Sequence, residues 1–144
     1  MTARTTLETG VNWLKPTLEQ AGFKYNFESE GNGSGGSFAR ASFASGNKKL
    51  EFSFRYSLGC VEYHIGNLKI THTEYMDATG HKKDARYPGY SREPDEAFKS
   101  LATDISKFCT TFLNGSEEEM VSLIETYNNK PKPRGFAGLS NNGT

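Results

Sequence analysis

The stretch from residue 48 to 76, KKLEFSFRYSLGCVEYHIGNLKITHTEYM, limits the fold more than any other part of the chain. Leu50, Phe52, Phe54 and Tyr56 alternate with Glu51, Ser53 and Arg55, the period-two pattern of a strand with one buried face. Val61, Tyr63 and Ile65 alternate in the same way with Cys60, Glu62 and His64, and Leu68 and Ile70 with Lys69 and Thr71. The turn residues Ser57-Leu58-Gly59 and Gly66-Asn67 separate these runs. The spacing predicts a three-stranded antiparallel meander whose apolar face needs a cover.

Strands and helices on either side complete the prediction. Phe23, Tyr25 and Phe27 alternate with Lys24, Asn26 and Glu28 to give a first strand, and residues 37–45 a second. Phe38 and Phe43 fall on opposite parities, so that strand either carries a bulge or is covered on both sides. The glycine-rich segment 31–36 reads as a flexible connector between them. Leu7, Val11, Leu14 and Leu18 recur at helical spacing over residues 4–21, with Thr5 or Thr6 as cap and Gly22 as stop. Pro16 forbids an unbroken helix there, so a kink near residues 10–12 or two short helices is expected, with Trp13 anchoring the element to the sheet. Thr71 or Thr73 caps a short helix ending near Ala78. Pro94 opens a helix marked by Phe98, Leu101, Ile105, Phe108 and Phe112. Asn114-Gly115 stops it, and Ser116 to Glu119 form a capping box that opens the last helix.

The expectation is an α+β fold: a roughly five-stranded antiparallel meander with N-terminal and C-terminal helices packed on one face. Residues 1–128 make one domain, which 144 residues suffice to give a real core; residues 129–144 read as a flexible tail. With 17 basic and 17 acidic side chains, the balance removes the electrostatic case for nucleic acid. No apolar run approaches the roughly 20 residues of a membrane helix, so a cytoplasmic protein is expected. Cys60 and Cys109 read as reduced thiols rather than a disulfide framework.

Residues 14–23, LKPTLEQAGF, resemble a motif in small uncharacterised bacterial α+β proteins, some of which are similar to immunity or accessory proteins encoded beside toxins. The runs RYSLGCVEYHIGN and YPGYSREPDEAF, within residues 55–98, resemble such a family as well. The resemblance implies the α+β fold and an immunity-type or accessory role. It transfers no catalytic residue.

Motifs for chemistry are sparse. Gly31, Gly33 and Gly36 satisfy G-x-G-x-x-G, but a dinucleotide site needs that pattern to open a helix, and here a strand follows. Cys60, Glu62 and His64 share one strand face, while His72 carries the parity of Leu68 and Ile70 and points to the apolar side. A zinc site needs three or four converging ligands, and the reading is of surface or hydrogen-bonded histidines, with no metal and no cofactor. No nucleophile, base and orienting group stand at a telling spacing, so no catalytic residue is assigned.

Binding is the remaining class. In loop 81–93, Arg86 and Arg92 interleave with Tyr87 and Tyr90, residue types enriched among interface anchors. The leading expectation is a non-enzymatic protein-binding domain acting through this loop, as monomer or homodimer. The alternative is a small-molecule-binding or enzyme domain with its cleft at the polar sheet face, where Arg55, Glu62 and His64 lie.

Overall fold

The computed structural model describes residues 2–33, 36–88 and 93–129. Five strands form one antiparallel meander in chain order: β1 (Lys24–Gly33), β2 (Gly36–Ser45), β3 (Lys48–Arg55), β4 (Ser57–Ile65) and β5 (Leu68–Thr71). Their inward residues include Phe43, Leu50, Phe52, Tyr63 and Ile70, each 1% exposed or less. The alternation therefore places one row of side chains under the helices and leaves the other row uncovered.

The helical layer comes from both ends of the chain. Pro16 acts as expected. The N-terminal segment splits into α1 (Ala3–Val11) and α2 (Lys15–Gln20), with the proline in the first turn of the second helix, where its missing N–H costs nothing. The α1 cap is Thr2, whose side chain accepts from the Thr5 N–H, not Thr5 or Thr6. Trp13 does not anchor this element. It lies 44% exposed between the two helices with the Lys99 ammonium over its ring. The close approach to the core is made instead by Gly10, where a Cβ would sit 2.2 Å from the Phe98 ring; there is no room for an indole at that seam.

Thr71 caps α3 (His72–Ala78) through a full capping box with Glu74. The Pro94 helix, α4 (Pro94–Phe108), breaks one turn earlier than the spacing predicts: Cys109 leaves helical geometry, and α5 (Thr110–Asn114) follows. Phe98, Leu101, Ile105 and Phe112 are all fully buried, so the apolar stripe survives the break. Lys48 explains where α5 ends. Its ammonium, 8% exposed, donates to the Phe112 carbonyl at 2.8 Å and to that of Gly115, supplying a cation to an otherwise orphaned helix terminus. The Ser116–Glu119 capping box then opens α6 (Glu117–Asn129). Residues 130–144, most of the expected tail, lie outside the described residues.

Three local features of the sheet depart from the sequence expectation. The glycine segment is strand rather than connector for most of its length, since Gly31 pairs with Phe38, Asn32 with Ser37 and Gly33 with Gly36. The bulge lies in β1, at Glu28, and β2 is regular against β3, so Phe38 stands on the uncovered face while Phe43 is in the core. Finally, the β3–β4 reversal falls at Tyr56, not at residues 57–59: Arg55 pairs with Ser57 across a single residue. A second bulge sets Cys60 and Val61 opposite Phe52, which restores the alternation for the rest of β4.

Candidate functional site

The uncovered sheet face is built from the outward residues of all five strands, and it divides into two regions. The first is a charge ladder. From the β1 bulge, Glu28 reaches Lys49 at 2.9 Å; Lys49 also contacts Glu51 at 3.1 Å, and Arg40 reaches the other oxygen of Glu51 at 2.7 Å. On β4, His64 Nε2 lies 3.8 Å from Glu51 Oε1 and 3.4 Å from Glu62 Oε1, while Lys69 approaches Glu62 Oε2 at 3.7 Å. Ser42 is 1% exposed beneath this layer. Burial alone would raise the Glu28 carboxyl, but hydrogen bonds from Ser42 and Lys49 outweigh it and hold the group below its ordinary value. The same Glu28 contact, ahead of the opposing effect of burial, raises Lys49.

Within the ladder, Glu51 and Glu62 are register partners. Like charges directly opposite one another are unfavourable in a sheet, and Arg40, Lys49 and Lys69 sit around the pair as counter-charges. His64 Nε2 itself is sealed from solvent and has no hydrogen-bond partner among the described residues.

The second region is the β3–β4 hairpin end. The Arg55 guanidinium stands over the Phe38 ring at 5.4 Å, and no ion pair found among the described residues involves it. Tyr56, 79% exposed, has a φ of 65°, and the exposed Cys60 has one of 52°. Both are left-handed conformations that residues with a Cβ seldom adopt. A depression of about 580 Å³ runs between the two regions, lined by Phe38, Arg40, Glu51, Arg55, Cys60 and Glu62.

The residues singled out from sequence are thus divided. Arg55, Glu62 and His64 share the open face, as their parity implies, and Glu51, Arg40, Phe38 and Tyr56 join them. Glu51 shares the strand parity of Arg55, Arg40 and Phe38 are brought in by cross-strand register, and Tyr56, which alternation places on the apolar side with Phe52 and Phe54, is turned out by its positive φ at the reversal. Cys60 lines the same depression as Glu62, and His72 is in the core. In loop 81–93, Tyr87 is 8% exposed and its hydroxyl donates to the Leu58 carbonyl at 2.7 Å; burial, then the nearby Cys60, pushes that phenol up to about 12. Arg86 is exposed, but its backbone N–H is bound to Asp104. Tyr90 and Arg92 lie outside the described residues.

Asp104 is the buried polar residue the sequence reading overlooked, and the signal was present: a charge inside the Leu101/Ile105 stripe requires buried partners. It accepts from His72 Nε2 at 3.0 Å and from the N–H groups of Arg86 and Tyr87 at 2.8–2.9 Å. His72 Nδ1 in turn meets the Tyr63 hydroxyl at 2.7 Å, which lies 3.6 Å from the Cys109 sulfur. Because a carboxylate only accepts, it fixes the proton on Nε2 and leaves Nδ1 to accept from Tyr63. This chain has the order of an acid–base relay, yet Tyr63, His72, Asp104 and Cys109 are each 1% exposed or less. Burial raises Tyr63 well above its ordinary value and pushes the Cys109 thiol up to about 12. It is a structural clamp that joins β4, α3, α4 and the segment at residues 86–87.

Compared with protein-family models, curated proteins and solved structures, the chain matches none. Among the described residues, no helix is long and apolar enough to cross a membrane.

Proposed function

We propose that this chain is a non-enzymatic protein-binding module of the immunity or accessory type, and that its contact surface is the open sheet face at the β3–β4 hairpin. One observation carries the reading: Arg55 and Tyr56 are presented together, exposed, on a rigid sheet beside Phe38 and Arg40. Tyr and Arg dominate the binding energy of interfaces, and a strained backbone at an exposed tip is where function is expected to hold a residue in place. Arg55, with its charge directed outward, suits a partner that offers an acidic loop. The sealed Tyr63–His72–Asp104 chain supports the non-enzymatic side of the reading, since no substrate reaches it.

The experiment is affinity capture from the native host with the full chain and its Arg55→Ala/Tyr56→Ala variant. Loss of a hot-spot residue costs about 2 kcal/mol or more, roughly thirty-fold in affinity, so the partner held by the wild-type chain is expected to be lost. Unchanged capture of every partner rejects the hairpin surface. Loss confined to an Arg86→Ala/Tyr90→Ala variant moves the contact to the loop. The depression between the two regions favours one second reading, a small anionic ligand held between Arg40 and Arg55. A thermal upshift with such a ligand, abolished in Arg40→Ala, would select it.

A further inference from the structure

We propose that Glu51, Glu62 and His64 form a binding site for a divalent transition-metal ion of the zinc class. Each offers one ligand atom, and the three atoms lie within 4.8 Å of one another. Two separated ligands on bonds of about 2.0 Å in a tetrahedral shell stand roughly 3.3 Å apart. His64 Nε2 is already 3.4 Å from Glu62 Oε1 and 3.8 Å from Glu51 Oε1, so a small side-chain adjustment brings three donors to bonding distance and leaves the fourth position for water.

Two further observations point to a cation rather than to a chance grouping of acids. First, β3–β4 register sets two carboxylates face to face on the half-buried centre of a sheet, at 14% and 24% side-chain exposure; Arg40, Lys49 and Lys69 offset the repulsion this brings, and an ion held by both carboxylates would offset it further. Second, the atom between them is the one buried side-chain nitrogen or oxygen without a hydrogen-bond partner among the described residues. Buried polar atoms are almost always satisfied, and a neutral imidazole carrying its proton on Nδ1 presents at Nε2 the lone pair a metal takes.

The donor set selects the metal. One imidazole with two carboxylates suits Zn²⁺ and its neighbours Co²⁺ and Ni²⁺; Ca²⁺ takes an all-oxygen shell of six to eight ligands. The outer contacts are in place as well: Lys49 holds Glu51 Oε2, and Lys69 lies near Glu62 Oε2, leaving the Oε1 atoms directed at His64. Arg40 is the built-in competitor, because its guanidinium occupies Glu51 Oε1 at 2.7 Å and must give way to the ion. This inference does not rest on the partner-binding reading.

The test is titration of the full metal-free chain with zinc chloride by calorimetry, and with Co²⁺ by visible absorption. The expected result is one saturable ion per chain and a Co²⁺ spectrum of low coordination number. Affinity should fall at least about ten-fold in Glu51→Gln, Glu62→Gln and His64→Ala, and rise in Arg40→Met as the competitor is removed. His81→Ala, which alters a surface His–Asp pair outside the site, should bind as the wild type does. All the substituted side chains are outside the core, so circular dichroism should be unchanged. Should His64→Ala fail to fold, a zinc-induced shift of the His64 imidazole resonances in the wild type reads the same contact. Absence of saturable binding, binding undiminished in His64→Ala or Glu62→Gln, or unmoved His64 resonances would each overturn the site.

Discussion

Cys60 and Tyr56 hold backbone conformations that glycine ordinarily supplies, four residues apart on the same hairpin, although Gly59 stands next to one of them. A left-handed residue with a Cβ costs about 1–2 kcal/mol, while glycine at the same place forfeits roughly 0.5–1 kcal/mol of unfolded-state freedom. Cys60→Gly is therefore expected to leave stability unchanged or raise it by about 1 kcal/mol. Cys60→Val, β-branched, should lower it by more than the strain already present. Urea unfolding midpoints check both, and a Cys60→Gly variant markedly less stable than the wild type would contradict the strain argument. Neither conformation was legible in the sequence. The alternation of Tyr56 with Arg55 reads as ordinary strand, and the positive φ follows from how β4 must fit β3 with one residue to spare.

At the scale of elements, the clamp between α3, α4, β4 and residues 86–87 rests on one carboxylate. Burial would raise Asp104, but the hydrogen bond from His72 and the N–H groups of Tyr87 and Arg86 more than offset it, and the group is held below its ordinary value. A folded-state value below the unfolded one means that the stabilisation is present above the ordinary carboxylate range and is lost as pH falls through the folded value. Asp104→Asn puts an amide N–H₂ where one acceptor oxygen stood and leaves a buried donor unsatisfied, at about 1–3 kcal/mol near neutral pH. The difference from the wild type should shrink in acid, once the wild-type carboxyl is protonated as well; denaturant titrations at neutral pH and below pH 4 measure this. The elements themselves were largely readable. Period-two runs located the strands, helical spacing located α4 and α6, and Pro16 divided the first helix. The α4 break at Cys109 and the early end of α5 were not, because the group that caps α5, Lys48, is 64 residues away from Phe112.

Taken whole, the molecule is a two-layer α+β structure, with one sheet face sealed by helices and the other bearing charge. Parity alone distinguished these faces, which is why Arg55, Glu62 and His64 could be named together. The placing of Arg40 beside Glu51, and of Glu51 opposite Glu62, needed the register. The sheet's two edges are guarded in the usual ways: β1 is interrupted by its bulge, and β5 has four residues and runs directly into α3. Arg55 and Tyr56 lie outside the core, so the affinity variants proposed above should keep the wild-type fold.

The capture of two main-chain amides by Asp104 has a kinetic consequence. Residues 85–88 belong to no helix or strand, and irregular segments ordinarily trade their amide protons with solvent quickly. Arg86 and Tyr87 can do so only when the α3–α4 junction itself comes apart. In deuterium oxide their protons should persist as long as those of β3, and Asp104→Asn should release both together.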